Sequence, residues 1–217
     1  MGLIKDLRNA LLTSLAEKVA KYGFEGRVKE QSFYKRTPLG RLALHSSFIP
    51  HSADLDVTAD VAVRFDDVET LVNQHKDYLS EGEKKRTFTL GAELGNIGQG
   101  SFLRWTLPSL DDVETVSEAI MTVFEAIGLP YLEKYSSMES ALEVLSGDDK
   151  AAWLHSPFHN ERAMRAIALA FLLGDRETFC RLAADKTEFL TSRKDQQGLE
   201  AFLKLKEALE RKFSVPC

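Results

Sequence analysis

Cysteine is scarce in this chain: Cys180 and Cys217 are the only two among 217 residues. Two cysteines build no disulfide framework, and no CxxC spacing of the zinc-binding kind is present, so a reducing, cytoplasmic setting is expected. Long apolar runs are missing too. The opening stretch MGLIKDLRNALLTSLAEKVAKYG is broken by Asp6 and Glu17, which argues against a signal peptide or a membrane span there. Gly2 is followed at position 6 by Asp rather than Ser or Thr, so the myristoylation pattern fails. A strong excess of one charge is also absent. With 28 Lys and Arg against 33 Asp and Glu, the net charge is −5, the wrong sign for a protein whose main partner is a phosphate backbone. No nucleic-acid or membrane partner is therefore expected.

What is present is ordinary core-forming material. Hydrophobic residues make up 44% of the chain, enough to bury a core and to exclude disorder as the main state. The charge is unevenly placed. Residues 1–50 carry 9 basic and 4 acidic side chains, residues 51–150 carry 8 and 20, and residues 151–217 carry 11 and 9. The acid lies in the middle, where it either solvates a surface or meets a basic partner.

The stretch Asp54 to Phe65, DLDVTADVAVRF, alternates apolar and polar residues with a period of two. That pattern predicts a β-strand with one buried face, the centre of an antiparallel sheet. Before it, Leu3, Ile4, Leu7, Leu11, Leu15, Val19 and Tyr22 recur at helical spacing up to Gly23, which predicts an amphipathic helix. SFYKR at 32–36 and RLALHSSFI at 41–49 bracket the turn TPLG and read as a hairpin. After the central strand, Asp66 and Asp67 open a short helix to about Tyr78, and EGEKKR at 81–86 forms a charged loop. TFTLGAEL at 87–94 and FLRWTL at 102–107 complete five strands, with GNIGQG between them as a hairpin loop. A helix from Leu110 to Ile127 ends at Gly128, two short helices follow, and from Lys150 the pattern is helical throughout, with a helix hairpin at Gly174-Asp175. The predicted fold is α+β: an antiparallel sheet of about five strands covered on one face by helices, in residues 1–149, with a helical C-terminal region in residues 150–217 packed on it.

Linear catalytic motifs are weak. GNIGQG is not GxGxxG and lacks the Lys-Ser/Thr of a phosphate loop. His155 and His159 are four apart, but Pro157 lies between them and no Glu stands in the HExxH place. No serine sits in an elbow motif, and neither cysteine has a base nearby in sequence. The outward face of the sheet is richer, because alternation places His45, Asp54, Asp56, Asp60, Arg64, Glu93 and Arg104 there together. Such a face either solvates the sheet, or binds a partner through its acids, or holds a divalent metal between carboxylates on neighbouring strands. Those seven residues are the candidate binding site, with no cofactor, resident metal or catalytic residue assigned.

A long helix ending in YGFEGR, then SFYKR, an alternating strand with an acidic follow-on, TFTLGAEL, a helix closing at GLP and a late ERAMRAIALAFLLGD form an order of parts. That order resembles bacterial domains of unknown function, some of which occur among genes for polymorphic toxins and their immunity proteins. The resemblance implies an α+β fold and transfers no functional residue. Together with the acidic middle it leads to the expectation of a non-enzymatic protein-binding module, an immunity-type inhibitor that meets a basic protein partner. The alternative is a metal-dependent hydrolase on the exposed sheet face.

Overall fold

Leu7, Leu11, Leu15 and Val19 repeat along one stripe, and burying that stripe holds the first helix, α1 (Gly2–Val19), against the sheet. A 3-10 turn over Ala20–Tyr22 follows, and Gly23, at φ +80°, makes the left-handed stop expected of it. The computed structural model describes residues 2–213. The chain divides into two compact units: residues 1–63 with 91–134, and residues 64–90 with 135–217.

The first unit holds most of the sheet. Strands β1 (Glu25–Arg27), β2 (Ser32–Thr37), β3 (Gly40–Pro50) and β4 (Leu55–Phe65) are neighbours in that order. β1 pairs antiparallel with β2, and β2 with β3, in a register that sets Phe33 opposite Leu44 and Ser32 opposite His45. Phe33 and Leu44 are both fully buried, so this is the core face. On β4 the expected alternation is realised: Leu55, Val57, Ala59, Val61 and Val63 are buried, while Asp56, Thr58, Asp60 and Ala62 are half-buried between them. After α2 (Asp66–Asn73) and α3 (Glu81–Lys84), strand β5 (Leu90–Glu93) adds to β4, then come α4 (Leu94–Gly98) and β6 (Trp105–Leu107), which pairs antiparallel with Leu55, Asp56 and Val57.

The sheet thus has six strands rather than five. The extra one is β1, three exposed residues with no alternation to reveal them. The two strands after α3 are shorter than expected, and they do not form a hairpin, because each pairs with β4. The expected GNIGQG loop is corrected as well, since Leu94–Gly98 is helical. Its cause is Glu93, whose carboxylate accepts from the amides of Gly95 and Asn96 at 3.0 and 2.9 Å. Gly95 is required here, because a Cβ would come within 2.6 Å of Leu103 N.

Helix α5 (Val113–Val123) packs against α1 and β6. It does not stop at Gly128. A π turn over Phe124–Gly128 carries it into α6 (Leu129–Lys134). A Cβ on Gly128 would press on Phe124, Leu94 and Val61, so glycine serves here for close packing and not as a terminator.

The second unit is helical: α2, α3, α7 (Met138–Leu145), α8 (Lys150–His155), α9 (His159–Leu172), α10 (Arg176–Ser192) and α11 (Gln196–Phe213). α9 is its centre, with α2, α7, α10 and α11 all packed on it. Every residue from Arg162 to Ala170 is buried. The expected helix hairpin is present, with Gly174 at φ +70° and Asp175 capping α10 through the amide of Thr178 at 3.0 Å. The helix opened by Asp66 ends at Asn73, short of Tyr78. Cys180 is not a free thiol, so it lends no support to the reducing compartment read from the cysteines; Cys217 lies outside the described residues. Among the described residues no helix is long and apolar enough to cross a membrane.

Candidate functional site

The seven sheet-face residues are drawn into separate local arrangements. Asp56, on β4, accepts from Thr106 Oγ1 at 2.7 Å and lies 3.1 Å from His51 Nε2 and 4.0 Å from Arg104. The Thr106 hydroxyl, then His51, hold its carboxyl below the ordinary carboxylate range. Asp54 is half-buried at the start of this strand, and its carbonyl accepts from the His51 amide at 3.0 Å. His45 lies 2.8 Å from Ser32 Oγ through Nδ1, and burial pushes its pKa down.

Asp60 and Glu93 form the second arrangement. Glu93 is buried and accepts from three backbone amides, those of Gly95, Asn96 and Leu103, so it pins the segment 94–103 to the end of β5. Burial, and then the neighbouring charge of Glu93, push the Asp60 carboxyl up to about 6. A carboxyl raised in this way beside a second carboxylate is a feature of acid–base sites. Yet among the described residues no group of three or more His, Cys, Asp or Glu is placed to hold a metal ion.

Arg64 belongs to the other unit. Its guanidinium donates to Asp66 at 2.6 Å and to the carbonyl and hydroxyl of Thr87 at 2.7 and 2.8 Å, with the Lys84 carbonyl at 3.2 Å. It is 7% exposed and spends its donors on the 84–87 segment. The structure therefore brings Asp56 to Arg104 and Asp60 to Glu93, leaves His45 with Ser32, and commits Arg64 to a loop.

The polar side chains that sequence reasoning passed over lie in the second unit. Arg165 on α9 donates to Glu69 on α2 at 2.9 Å and lies 3.0 Å from Glu161, which also pairs with Lys76 and accepts from Tyr78 Oη at 3.1 Å. Glu69, Lys76 and Arg165 are all buried. Burial and then the Glu161 carboxylate push the Tyr78 hydroxyl up to about 12, so it stays a donor. A second cluster surrounds Asp148, which Arg162 and Lys186 reach at 3.2 and 2.7 Å while also donating to the carbonyls of Ser146, Gly147 and Ser156. The signal for both was in ERAMRAIALAFLL, where two arginines interrupt an otherwise apolar helix face.

Two of the hollows on this unit exceed 500 Å³. One, of about 560 Å³, is lined by His75, Lys76, Asp77 and Tyr78 after α2, by the start of α9 and by the start of α11. The other, of about 620 Å³, runs between α7 and the start of α10, with Leu142 and Leu173 lining it and Glu139, Glu143 and Asp175 around them. Glu139 and Glu143 are exposed and four apart on α7, a like-charge spacing that costs helix stability.

Compared with known proteins, the chain matches no family model, no curated protein and no solved structure. The fold defines it as an α+β protein with an antiparallel sheet and a helical C-terminal region.

Proposed function

We propose that this chain is a non-enzymatic protein-binding module, an immunity-type inhibitor that engages a basic protein through an acidic surface in the cytoplasm. The observation that carries this reading is the groove between α7 and α10. Glu139, Glu143 and Asp175 line it with the apolar Leu142 and Leu173, outnumbering Arg181, which lies 3.6 Å from Asp185 and also faces Asp175. A basic segment with apolar side chains on one face suits such a groove, since complementary charge speeds encounter and suppresses wrong partners. The acids of α5 and of the π turn after it serve this purpose less well, because Lys18 of α1 and Lys21 of the turn after it meet Glu114 and Glu125 at 2.7 and 3.0 Å. On the sheet face Asp56 and Glu93 are likewise held by their neighbours.

The test is a pull-down from the native organism's lysate at low and high salt, with the wild type and with Glu139→Lys/Glu143→Lys. A basic protein retained at low salt, released at high salt and not captured by the double variant is the expected result. Capture that ignores both salt and the double reversal would overturn this placement of the surface.

The alternative, a metal-dependent hydrolase on the sheet face, draws on the Asp60–Glu93 pair. It predicts a rise in melting temperature with a divalent ion that Asp60→Asn abolishes; no ion-dependent rise would count against it.

A further inference from the structure

The 560 Å³ hollow of the second unit has the size of a small-molecule site, and its charges do not cancel. At its wall lies the chain Glu69–Arg165–Glu161–Lys76, two acids and two bases in mutual contact, which is neutral as a group. On the α11 side Glu200 and Lys204 pair at 2.8 Å and cancel in the same way. Two carboxylates are in excess over the bases, with Asp77 after α2 near enough to Lys204 to share its charge and Asp195 before α11 accepting from the Gly198 amide at 2.9 Å. Burial, together with the charges of Lys204 and Lys212 and against that of Asp77, holds the His75 imidazole below the usual histidine range, so it offsets them little.

The other groups in the hollow suit the same kind of ligand. Tyr78 is 62% exposed, and its hydroxyl is anchored on Glu161, so the ring is held in place and offers a face to a cation. Asn160 and Gln197 add side-chain carbonyls, and Met164 and Ala201 add apolar surface for methylene groups. The close approach of α11 to α9 depends on Gly198, where a Cβ would come within 2.8 Å of Asn160 Cβ.

We infer that this hollow binds a small linear organic polycation of the diamine–polyamine class, its ammonium groups divided between Asp77 and Asp195 and its methylene chain running past Tyr78 and Met164. The site is separate from the acidic groove of α7 and α10 and does not depend on a protein partner.

The test is calorimetric titration of spermidine into the full chain, wild type and Asp77→Asn/Asp195→Asn. Asn keeps the capping oxygen that Asp195 supplies to Gly198 N at 2.9 Å, so the double variant retains the start of α11. Glu139→Gln/Glu143→Gln serves as the control for unspecific attraction to acid. One-to-one binding that weakens at least tenfold in the first variant and is unchanged in the control is the expected result. No heat of binding at millimolar spermidine, or a loss shared equally by both variants, would overturn the inference. Because partner capture is tested with Glu139→Lys/Glu143→Lys and spermidine binding with Asp77→Asn/Asp195→Asn, failure here and failure of the protein-binding reading give different patterns.

Discussion

Arg165 and Glu69 are 96 positions apart in the chain and meet as a buried two-point ion pair, Nε to Oε1 at 2.9 Å and the second nitrogen to Oε2 at 3.4 Å. Burial pushes the Glu69 carboxyl up, but the Arg165 guanidinium outweighs it and leaves the group below the ordinary carboxylate range.

Breaking that pair from one side strands a charge. Glu69→Gln is expected to cost about 3–5 kcal/mol in urea unfolding, and Glu69→Leu with Arg165→Met to cost less than either single change. The lowered Glu69 pKa contributes stability that is present above the unfolded value and lost as pH falls through the folded one. Acid unfolding of Glu69→Gln should therefore show a shallower loss than the wild type.

Asp60 carries the opposite sign. Its folded pKa of about 6 lies above the ordinary value of 3.8, so between these values the folded state holds a proton that the unfolded chain has released. Stability from this group is fully present below the unfolded pKa and declines as pH rises to about 6. Asp60→Asn is expected to stabilise the protein at pH 8 by up to about 3 kcal/mol and to have little effect at pH 4. Equal effects at both values, measured by denaturant titration, would refute the coupling.

Glu93→Gln removes the charge beside Asp60 while keeping one amide-accepting oxygen. The Asp60 carboxyl, followed by NMR titration, should then titrate at lower pH than in the wild type. Glu93→Ala frees all three amides of Gly95, Asn96 and Leu103 and should cost at least about 2 kcal/mol.

Lys186→Met tests the second buried cluster. It withdraws donors from the carbonyl of Ser146 and from Asp148, both at 2.7 Å, and leaves them under a side chain of similar size. A loss of about 3 kcal/mol is expected, with Asp148 still held by Arg162. A melting temperature equal to wild type would show that water replaces the ammonium.

Much of the architecture could be read from local pattern. The period of two along 55–63, the stripe of α1, the stop at Gly23 and the helix hairpin at Gly174-Asp175 all depend on near neighbours, and each appears in the structure where the sequence places it. At two other glycines, Gly128 and Gly95, expected as a helix stop and part of a hairpin loop, the structure differs. Gly128 sits inside a continuous helix and Gly95 inside a short one, because each makes room for a distant atom instead of turning the chain. The strand pairings of β5 and β6 failed for a related reason: both short strands are recruited by β4 through hydrogen bonds that no local pattern encodes.

Alternation and helical spacing by themselves determined the fold class, because strands followed by a run of helices, each with one apolar face, bury those faces in a small set of layer arrangements. Only the tertiary structure decided what the charged residues do. Arg64, Glu69, Lys76 and Arg165 look like solvated surface in the sequence, but desolvation makes a lone buried charge so unfavourable that each is tied to a partner or carbonyl that folding brings near. The same folding leaves Glu139, Glu143, Asp77 and Asp195 as carboxylates lining hollows. Which acids line those hollows is a property of the packed second unit, in which residues 64–90 join helices from residue 138 onward.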